Sequence, residues 1–490
     1  MDEQLILVLD EGTTSTRAMA FTPAGALCAV AQRELTQHYP CPGWVEHDPA
    51  EIWDRTLACA QAVVGQAGGA GRIAAIGITN QRETVVAWDR HTLAPLARAL
   101  VWQDRRTAPL CEQLRDEGHE PAVQAQTGLL LDPYFSATKM RWLLANEPAV
   151  ADAAASGRLA LGTIDSWLLA RLTGGAHLAE ASNASRTLLL GLTGADWDEG
   201  LCDLFGVPRA ALGEVVDSAG EVARSSADIF GRAIPICGIA GDQQAATIGQ
   251  ACLAPGETKA TYGTGAFVLA NMGRMVPQSA HRLLGTVLCQ IGGQRQYALE
   301  GSAFVAGSLI KWLRDSLGLI AQSGETAALA ASVPDSGGVI VVPAHTGLGA
   351  PHWRPQARGL ISGLSFASGR AQIVRAALEA MAHQTHDLAT AFAADGAGWT
   401  RLRIDGGMAA NDWMAQDLAD MLDLVVERPD FIETTALGAA MLAAHGAGIY
   451  STLADAAGAM RGSLHAFSPA LDPAVREERL RRWHAALAAA

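Results

Sequence analysis

Lysine is nearly absent from this chain of 490 residues, where it occurs only as Lys139, Lys259 and Lys311. None of the three follows a glycine, whereas the phosphate loop of the P-loop nucleotide hydrolases requires a Gly-Lys pair. The nearest match to a dinucleotide-binding fingerprint, GAGRIA at residues 69–74, precedes a predicted strand instead of following one. The sequence therefore excludes a P-loop and favours an ordinary loop at residues 69–74.

Basic clusters, paired cysteines and histidine ligand patterns are missing as well. The formal net charge is −14, so the chain lacks the basic surface that binding to nucleic acid or to an anionic membrane requires. Its eight cysteines include no CxxC pair, which argues against a zinc ribbon and against a disulfide framework. The thirteen histidines show no ligand spacing, so any bound metal is expected to be a hard cation with oxygen ligands.

Long apolar runs and blocks of like charge are also lacking. No apolar run approaches the roughly 18 residues that span a bilayer, and the N-terminus has no basic region or cleavage site of a signal peptide. At 490 residues the chain exceeds one compact core and is expected to form two large domains. We expect a cytoplasmic protein whose partners are small molecules, with no nucleic acid and no membrane insertion.

Short apolar runs alternate with long helical patterns, which favours an α/β fold. The runs LILVLD, IAAIGIT, IPICGIAG and GGVIVVPAHTG predict strands, while residues 50–67, 369–394 and 472–490 have apolar residues at helical spacing. Residues 5–21 and 257–271 both read as strand, Gly/Thr turn and strand. This echo suggests two related domains with a cleft between them, although two unrelated hairpins would give the same pattern.

The stretch DEGTTSTR at residues 10–17 has the composition of a phosphate-binding turn. Glycine and hydroxyl residues let backbone N–H groups curve around phosphate oxygens, and Asp10 offers the carboxylate that Mg²⁺ prefers beside substrate phosphates. The candidate phosphate ligands are Thr13, Thr14, Ser15 and Arg17. A plain hairpin with Asp and Gly as turn formers explains the stretch equally well.

Asp242 begins a predicted Ala-rich helix directly after the buried strand IPICGIAG. An aspartate at this position is most often only a helix cap. However, Asp242, Gln243 and Gln244 form a polar run at the C-terminal end of a strand, where α/β proteins place their sites. If it is functional, Asp242 is an anionic base.

Two further segments of the first half offer groups that suit a small polyol. Arg82 and Glu83 place a donor beside an acceptor after an apolar strand, and Trp102 offers a flat apolar wall. Tyr134 adds a candidate hydroxyl donor. A surface ion pair with aromatic residues in the core is the structural alternative.

The second half contains glycine-rich turns that suit a nucleotide. TYGTGAF at residues 261–267 repeats the phosphate-turn composition and includes Thr264. IDGGMAAND places Gly406 and Gly407 between a strand and a helix, where a flat base can approach the backbone and Asn411 can bond to it. Tight strand-to-helix turns use the same residues, and HTGLGAPHW at residues 345–353 is expected to be structural.

Taken in order, these segments resemble the FGGY family of carbohydrate kinases. The matching segments are LDEGTTSTRA, GWVEHDP, GITNQRET, VWQDRRT, DPYFSATK, NASRT, GIAGDQQAA, TYGTGAF, TGLGAPHW, DGGMAAND and ALGAA. Each is weak alone, but the ordered set extends from residue 7 to about residue 440. The resemblance implies two actin/hexokinase-like (ribonuclease H-like) domains, residues 1–250 and 251–490, which close over a catalytic cleft.

The resemblance also implies Mg²⁺- and ATP-dependent phosphorylation of glycerol to sn-glycerol 3-phosphate, in glycerol catabolism, with Asp242 as the general base. Glycerol would contact Arg82, Glu83, Tyr134, Asp242 and Gln243, with Trp102 and Phe267 as apolar walls. Asp10 would serve Mg²⁺. The nucleotide would be bound by Thr13, Thr14, Ser15, Arg17, Thr264, Gly307, Lys311, Gly407 and Asn411. A homo-oligomer, dimer or tetramer, is expected.

Three departures from the family pattern qualify these expectations. Glu11 and Lys311 stand where the family commonly has Gln, and FGRAIPICG lacks the Gly-Gly-Thr-Arg form associated with inhibition by fructose 1,6-bisphosphate. Successive strand residues point to opposite faces, so we expect Asp10 to face the phosphates and Glu11 to point away.

Two alternative functions fit the same pattern. One is an FGGY kinase for another polyol or ketose, such as erythritol or xylulose, and the pocket residues argue for glycerol. The other is a catalytically silent nucleotide-binding sensor on the same fold. The presence of both Asp10 and Asp242 argues against the sensor.

Overall fold

The computed structural model describes residues 4–354, 356–431 and 433–490. Strands and helices alternate along the chain, as the sequence pattern predicts. The strands are β1 Leu5–Glu11, β2 Ser15–Phe21, β3 Leu27–Glu34, β4 Glu46–His47, β5 Ile73–Asn80, β6 Val86–Asp89, β7 Ala99–Leu100, β8 Leu159–Gly162, β9 Leu178–Glu180, β10 Glu214–Val216, β11 Ala219–Arg224, β12 Pro235–Gly241, β13 Glu257–Tyr262, β14 Ala266–Gly273, β15 Leu284–Ile291, β16 Gln294–Ala303, β17 Ile340–Val342, β18 Leu360–Ser362, β19 Arg401–Asp405, β20 Val426–Pro429 and β21 Leu464–Phe467.

The α-helices include three that begin and end within one residue of the predicted ranges 50–67, 369–394 and 472–490. They are α1 Pro49–Gln66, α2 Ala108–Asp116, α3 Glu120–Thr127, α4 Ser136–Asn146, α5 Pro148–Ala155, α6 Ile164–Thr173, α7 Ala181–Ala184, α8 Glu199–Phe205, α9 Ala227–Phe230, α10 Asp242–Gly249, α11 Gly307–Asp315, α12 Glu325–Ala331, α13 Arg370–Ala394, α14 Asp412–Leu422, α15 Thr434–Gly446, α16 Leu453–Met460 and α17 Pro473–Ala489. Asp48 caps α1 by accepting a hydrogen bond from Ala50, which fixes where that helix begins.

One mixed sheet of thirteen strands runs through both halves of the chain, in the order β21-β20-β19-β13-β14-β16-β15-β11-β12-β5-β1-β2-β3. The two halves join where β11 meets β15, at the pair Ala219 and Ile291. The echo seen in the sequence is a repeated structural unit. β1 pairs antiparallel with β2 and parallel with β5, and β13 pairs antiparallel with β14 and parallel with β19.

Helix α15 lies in the second half of the sequence but packs on strands of the first half. It contacts β12, β5 and β1, and its apolar residues share a core cluster with Ile6 and Val8. It also crosses α10 very closely: a Cβ atom on Gly438 would lie 1.8 Å from the carbonyl oxygen of Ala245. Glycine is therefore required at this crossing, and α15 fixes the position of α10.

Two further expectations concern cysteine and the membrane. All eight cysteines are free thiols, as the absence of paired spacing predicts. Across residues 4–354, 356–431 and 433–490, no helix combines the length and hydropathy needed to cross a bilayer.

Candidate active site

Three parallel strands of the first half end at one edge of the sheet and bring the predicted catalytic segments together. Asn80 at the end of β5 is in register with Glu11 of β1 on one side and with Gly241 of β12 on the other. The residues that follow these strands therefore meet at the same edge. Asp10, Arg82 and Asp242, which are far apart in sequence, belong to this one site.

Arg82 is the centre of the site, and each of its five N–H groups has a contact. Its Nη1 and Nη2 atoms lie 2.7 Å and 3.0 Å from the two carboxylate oxygens of Glu300. Its weaker contacts are to Asp242 Oδ1 at 3.3 Å from Nε, to the Tyr134 hydroxyl at 3.3 Å and to Gln244 at 3.4 Å. The two-point pair with Glu300 fixes the guanidinium plane, while the three longer contacts can be exchanged for a ligand.

Glu83 and Arg186 form the second layer of charge beneath Arg82. Arg186 Nε donates to Glu83 Oε1 at 2.7 Å, and both side chains are fully buried. Burial raises the pKa of Glu83 against the attraction of Arg82 and Arg186. Glu83 also has a φ of 61°, a left-handed conformation that non-glycine residues rarely adopt, so the backbone is strained where its carboxylate is held.

The carboxylate of Asp242 opens toward solvent, with its side chain about one-third exposed. Its Oδ1 accepts a hydrogen bond from the backbone N–H of Gln243 at 2.7 Å, which satisfies one donor of the first turn of α10. Partial burial raises the pKa of Asp242, and the positive charges of Arg82 and Lys259 oppose that rise. The site thus contains a carboxylate that can accept a proton from a hydroxyl group beside it.

Trp102 links Tyr134 to the predicted phosphate turn. Its indole Nε1 donates to the Thr13 hydroxyl at 2.9 Å, and its ring meets the ring of Tyr134 edge-on at 5.7 Å. Burial raises the pKa of Tyr134, so its hydroxyl stays protonated and can donate. Trp102 and Tyr134 therefore form an aromatic wall beside Arg82, whereas the sequence predicts Trp102 as the flat wall and Tyr134 as a hydroxyl donor.

The phosphate turn of the first half is tight, because the N–H of Gly12 donates to the carbonyl of Ser15 at 3.0 Å. Thr13, Thr14 and Ser15 all remain at least partly exposed. Arg17 does not point freely into the cleft. It donates to Asp10 at 2.5 Å and to Glu433 at 2.6 Å, so any phosphate that it binds competes with these two carboxylates.

Asp10 fits a magnesium ion that comes with a nucleotide better than one held by protein alone. Mg²⁺ usually takes one or two carboxylates together with phosphate oxygens and waters. Among the residues that the structure describes, no cluster of three or more His, Cys, Asp or Glu side chains could hold a metal ion. A single carboxylate beside a phosphate turn suits the first arrangement.

Glu11 points away from the cleft, as the strand alternation predicts. Its Oε2 accepts a hydrogen bond from Thr56 of α1 at 2.7 Å, and the residue is fully buried. Burial raises the pKa of Glu11 to about 8, despite hydrogen bonds with Thr16 and Thr56. At neutral pH it is thus mostly protonated and resembles a glutamine in shape and charge.

The predicted nucleotide residues of the second half lie around one turn. The N–H groups of Ala306 and Gly307 donate to the carbonyls of Thr264 and Gly263, both at 2.9 Å. A Cβ on Gly307 would lie 2.6 Å from the Gly263 oxygen, so only glycine permits this approach. These contacts join the Thr264 turn to the start of α11.

The other nucleotide residues are distributed around that turn. Gly407 is exposed next to β19, and Lys311 is exposed on α11. Asn411 caps α14 and donates to Thr326 at 3.0 Å, so its side chain is already engaged. Phe267 on β14 is half-buried and is in register with Ser302.

Three charged residues of the site were not assigned roles from the sequence. Glu300 and Lys259 lie on β16 and β13 of the second half, and Arg186 follows α7. A charged side chain within an otherwise apolar strand is the signal that marks Glu300 and Lys259, since a buried charge requires a partner. Burial alone would raise the pKa of Glu300, but Arg186 and Arg82 lower it to about 2.

The fold and this site are those of a sugar or polyol kinase, and the chain belongs to the FGGY family of carbohydrate kinases. The model of the N-terminal domain of that family matches residues 5–249, and the model of its C-terminal domain matches residues 258–447.

Individual relatives extend this comparison to almost the whole chain. The glycerol kinase of Rhodospirillum centenum is 53% identical over 98% of this chain and 97% of its own. The glycerol kinase of Alcanivorax borkumensis is 54% identical over 99% of this chain and 97% of its own. The crystal structure of Plasmodium falciparum glycerol kinase with ADP superposes with a TM-score of 0.95 at 34% identity, covering 99% of this chain and 98% of that one. The xylulose kinase of Rhodospirillum rubrum has a TM-score of 0.88 at 25% identity, with 99% of each chain covered.

Proposed function

We propose that this protein transfers the terminal phosphoryl group of ATP to glycerol and forms sn-glycerol 3-phosphate. The observation that carries the proposal is the contact between Arg82 and Asp242, which sets a donor and a proton acceptor 3.3 Å apart beside the aromatic wall of Trp102 and Tyr134. Relatives that are 53% and 54% identical over nearly the full length are named glycerol kinase, which supports the same substrate.

In this proposal a glycerol hydroxyl enters between Arg82 and Asp242. The hydroxyl oxygen accepts from Arg82, whose contact with Asp242 is long enough to exchange, and its proton points to the Asp242 carboxylate. Phosphoryl transfer has a loose transition state, so the oxygen needs positioning more than activation. Asp242 then takes the hydroxyl proton late in the transfer, which a modest base can do.

The nucleotide would lie between the two glycine-rich turns. Thr13, Thr14, Ser15 and Arg17 would contact the phosphates from the first half, and Thr264 from the second. Gly307, Lys311, Gly407 and Asn411 would border the adenosine. Asp10 would hold Mg²⁺, which neutralises phosphate charge when it is bound.

The cleft between residues 1–250 and 251–490 would close around both substrates. The family matches at residues 5–249 and 258–447 support this division into two domains. Closure would exclude water from the transferred group and limit hydrolysis of ATP.

Product analysis tests the proposal. The purified protein is incubated with MgATP and glycerol, and the product is identified by phosphorus NMR and by its reaction with a dehydrogenase specific for sn-glycerol 3-phosphate. Stoichiometric ADP and sn-glycerol 3-phosphate are expected. ADP release at the same rate without glycerol would contradict the proposal, because it would indicate hydrolysis.

A further inference from the structure

Lys259 is a buried cation next to the proposed acceptor site, in a chain that hardly uses lysine. Lysine and arginine together number 36, and only three of them are lysines. Lys259 lies on β13 with no exposed surface, whereas strands of this sheet otherwise bury mainly apolar residues. A lysine buried at such a position needs hydrogen-bond partners and opposite charges that compensate for the loss of its hydration.

The ammonium group of Lys259 has two hydrogen-bond acceptors, and one of them is Gln243. Nζ donates to Gln243 Oε1, and also to Thr261 Oγ1 at 2.8 Å. An ammonium group has donors only, so the atom of the Gln243 amide that faces it must be the oxygen. This requirement fixes which way the amide is turned.

The other end of the Gln243 amide is left free by this arrangement. Within the described residues Nε2 makes no hydrogen bond, although the residue is half-buried and adjoins Asp242. A half-buried NH₂ group without a protein partner is available to a ligand. It adds a second donor near the point where Arg82 meets Asp242.

Neighbouring carboxylates stabilise the charged form of the buried Lys259 side chain. Burial lowers the pKa of Lys259, and the carboxylates of Asp405 and Asp242 oppose that effect. Arg82 and Glu300 also act on it, with opposite signs. The charge of Lys259 is thus favoured by a carboxylate of β19 and by the carboxylate proposed as the base.

We propose that Lys259 is a positioning residue for the phosphoryl acceptor: it turns the Gln243 amide so that Nε2 donates a hydrogen bond to a substrate hydroxyl. The inference rests on the proposed function and specifies the polarity of one substrate contact. The hydroxyl that accepts from Gln243 would be the neighbour of the attacking hydroxyl, which accepts from Arg82, donates to Asp242 and keeps one lone pair for the phosphorus. A substrate without a hydroxyl oxygen at that point would leave Nε2 unpaired and bind less well.

The substitution Gln243→Glu tests the polarity without altering Lys259. A glutamate beside Lys259 keeps the size and the inner contact but replaces the outer NH₂ with an oxygen. We expect glycerol binding, measured by calorimetry without nucleotide, to weaken about tenfold, which corresponds to about 1.4 kcal/mol. Gln243→Ala is expected to weaken it to a similar extent. Unchanged or tighter binding by Gln243→Glu would overturn the proposal, because it would mean that the oxygen faces the substrate.

A double-mutant cycle tests whether Lys259 acts through Gln243. We expect Lys259→Met to weaken glycerol binding about fivefold in the wild-type background and less than twofold in the Gln243→Ala background. Arg403→Met is the matched control. It removes a buried cation in register with Lys259 on β19 and is expected to have the same effect on glycerol binding in both backgrounds. Equal effects of Lys259→Met in the two backgrounds would overturn the proposal.

The two sets of variants separate this inference from the proposed function. Wild-type protein that neither binds nor phosphorylates glycerol overturns both. Normal glycerol turnover by the wild type with unchanged binding by Gln243→Glu overturns only the role of Lys259. The Gln243→Glu measurement also decides the question when Lys259→Met does not fold.

Discussion

Arg82 has no spare donor in this structure, and that property determines how a substrate can bind. Its two short bonds to Glu300 hold the guanidinium, while its contacts to Asp242, Tyr134 and Gln244 are all 3.3 Å or longer. Removing one partner of a buried pair costs about 3 to 5 kcal/mol, so the bond to Glu300 persists. In the proposed complex, substrate hydroxyls therefore replace the longer contacts.

The substitution Asp242→Asn tests the proposed role of Asp242 as the base. It keeps the size of the side chain and removes its ability to accept a full proton. We expect kcat to fall by about 10² to 10⁴, with glycerol and ADP binding changed less than fivefold. Steady-state kinetics and calorimetry measure the two effects, and a kcat within tenfold of wild type would remove Asp242 from the mechanism.

Glu180 makes stability depend on pH. It is fully buried, caps α7 and accepts from Ser182 and Ser218, and burial outweighs these bonds and raises its pKa to about 7. Because the folded protein binds this proton more tightly than the unfolded chain, the stabilisation is complete below about pH 4.5 and is lost as pH rises through 7. The loss is on the order of 3 kcal/mol.

The variant Glu180→Gln tests this dependence. We expect its free energy of unfolding to change between pH 5 and pH 8 by about 3 kcal/mol less than that of the wild type, as measured by urea denaturation. Glu11 and Asp165, whose raised pKa values act in the same direction, are present in both proteins. An equal pH dependence in the two proteins would show that Glu180 does not hold the proton.

The crossing of α10 and α15 connects a distant part of the sequence to Asp242, the proposed base. α10 begins at Asp242, and α15 contacts it through Gly249 and Gly438, where added Cβ atoms would lie 1.9 Å and 1.8 Å from carbonyl oxygens. These distances are far below van der Waals contact, and a backbone carbonyl oxygen cannot move away unless its whole helix shifts. The position of Asp242 therefore depends on a glycine about 200 residues away in the chain.

The substitution Gly438→Ala is expected to displace α10. We expect it to destabilise the fold by about 1 to 3 kcal/mol and to lower kcat at least tenfold. Gly458→Ala on α16 is the matched control, since nothing lies within 4 Å of its added Cβ, and it is expected to leave kcat unchanged with stability equal or slightly higher. Thermal denaturation and steady-state kinetics measure both, and a Gly438→Ala variant as active and stable as wild type would contradict the tight crossing.

For the molecule as a whole, ion pairs cross between the two halves of the chain. Arg82 pairs with Glu300, and Arg17 pairs with Glu433. The first pair is buried and organises the acceptor site. In the second pair Arg17 is 26% exposed and Glu433 33%, so nucleotide phosphates can compete for Arg17.

Release of Arg17 from Glu433 is expected to favour the nucleotide. We expect Glu433→Gln to lower the KM for MgATP about two- to fivefold, because a partly exposed pair contributes only about 0.2 to 1 kcal/mol. Glu478→Gln on α17 is the control, as it removes a carboxylate that pairs with Arg481 and Arg482 at the surface. A KM that is unchanged or raised in Glu433→Gln would contradict the competition.

Local sequence pattern predicted the strands β1, β5, β12 and β17, the two strand-turn-strand units and the polar residues at strand ends. Asp10, Arg82 and Asp242 follow apolar strands, and the α/β arrangement brings such residues to one edge. The partners of those residues were not predictable in the same way. Glu300 meets Arg82 across 218 positions and α15 returns to the first half, and no local periodicity encodes which distant segments pair.

A panel of acceptor substrates decides whether this kinase acts on glycerol. ADP formation is measured with MgATP and glycerol, erythritol, xylulose or gluconate as the only acceptor. We expect a kcat/KM for glycerol at least 100-fold above that for any other acceptor, which corresponds to about 2.7 kcal/mol of discrimination. Turnover of a four- or five-carbon acceptor with none of glycerol would contradict this expectation.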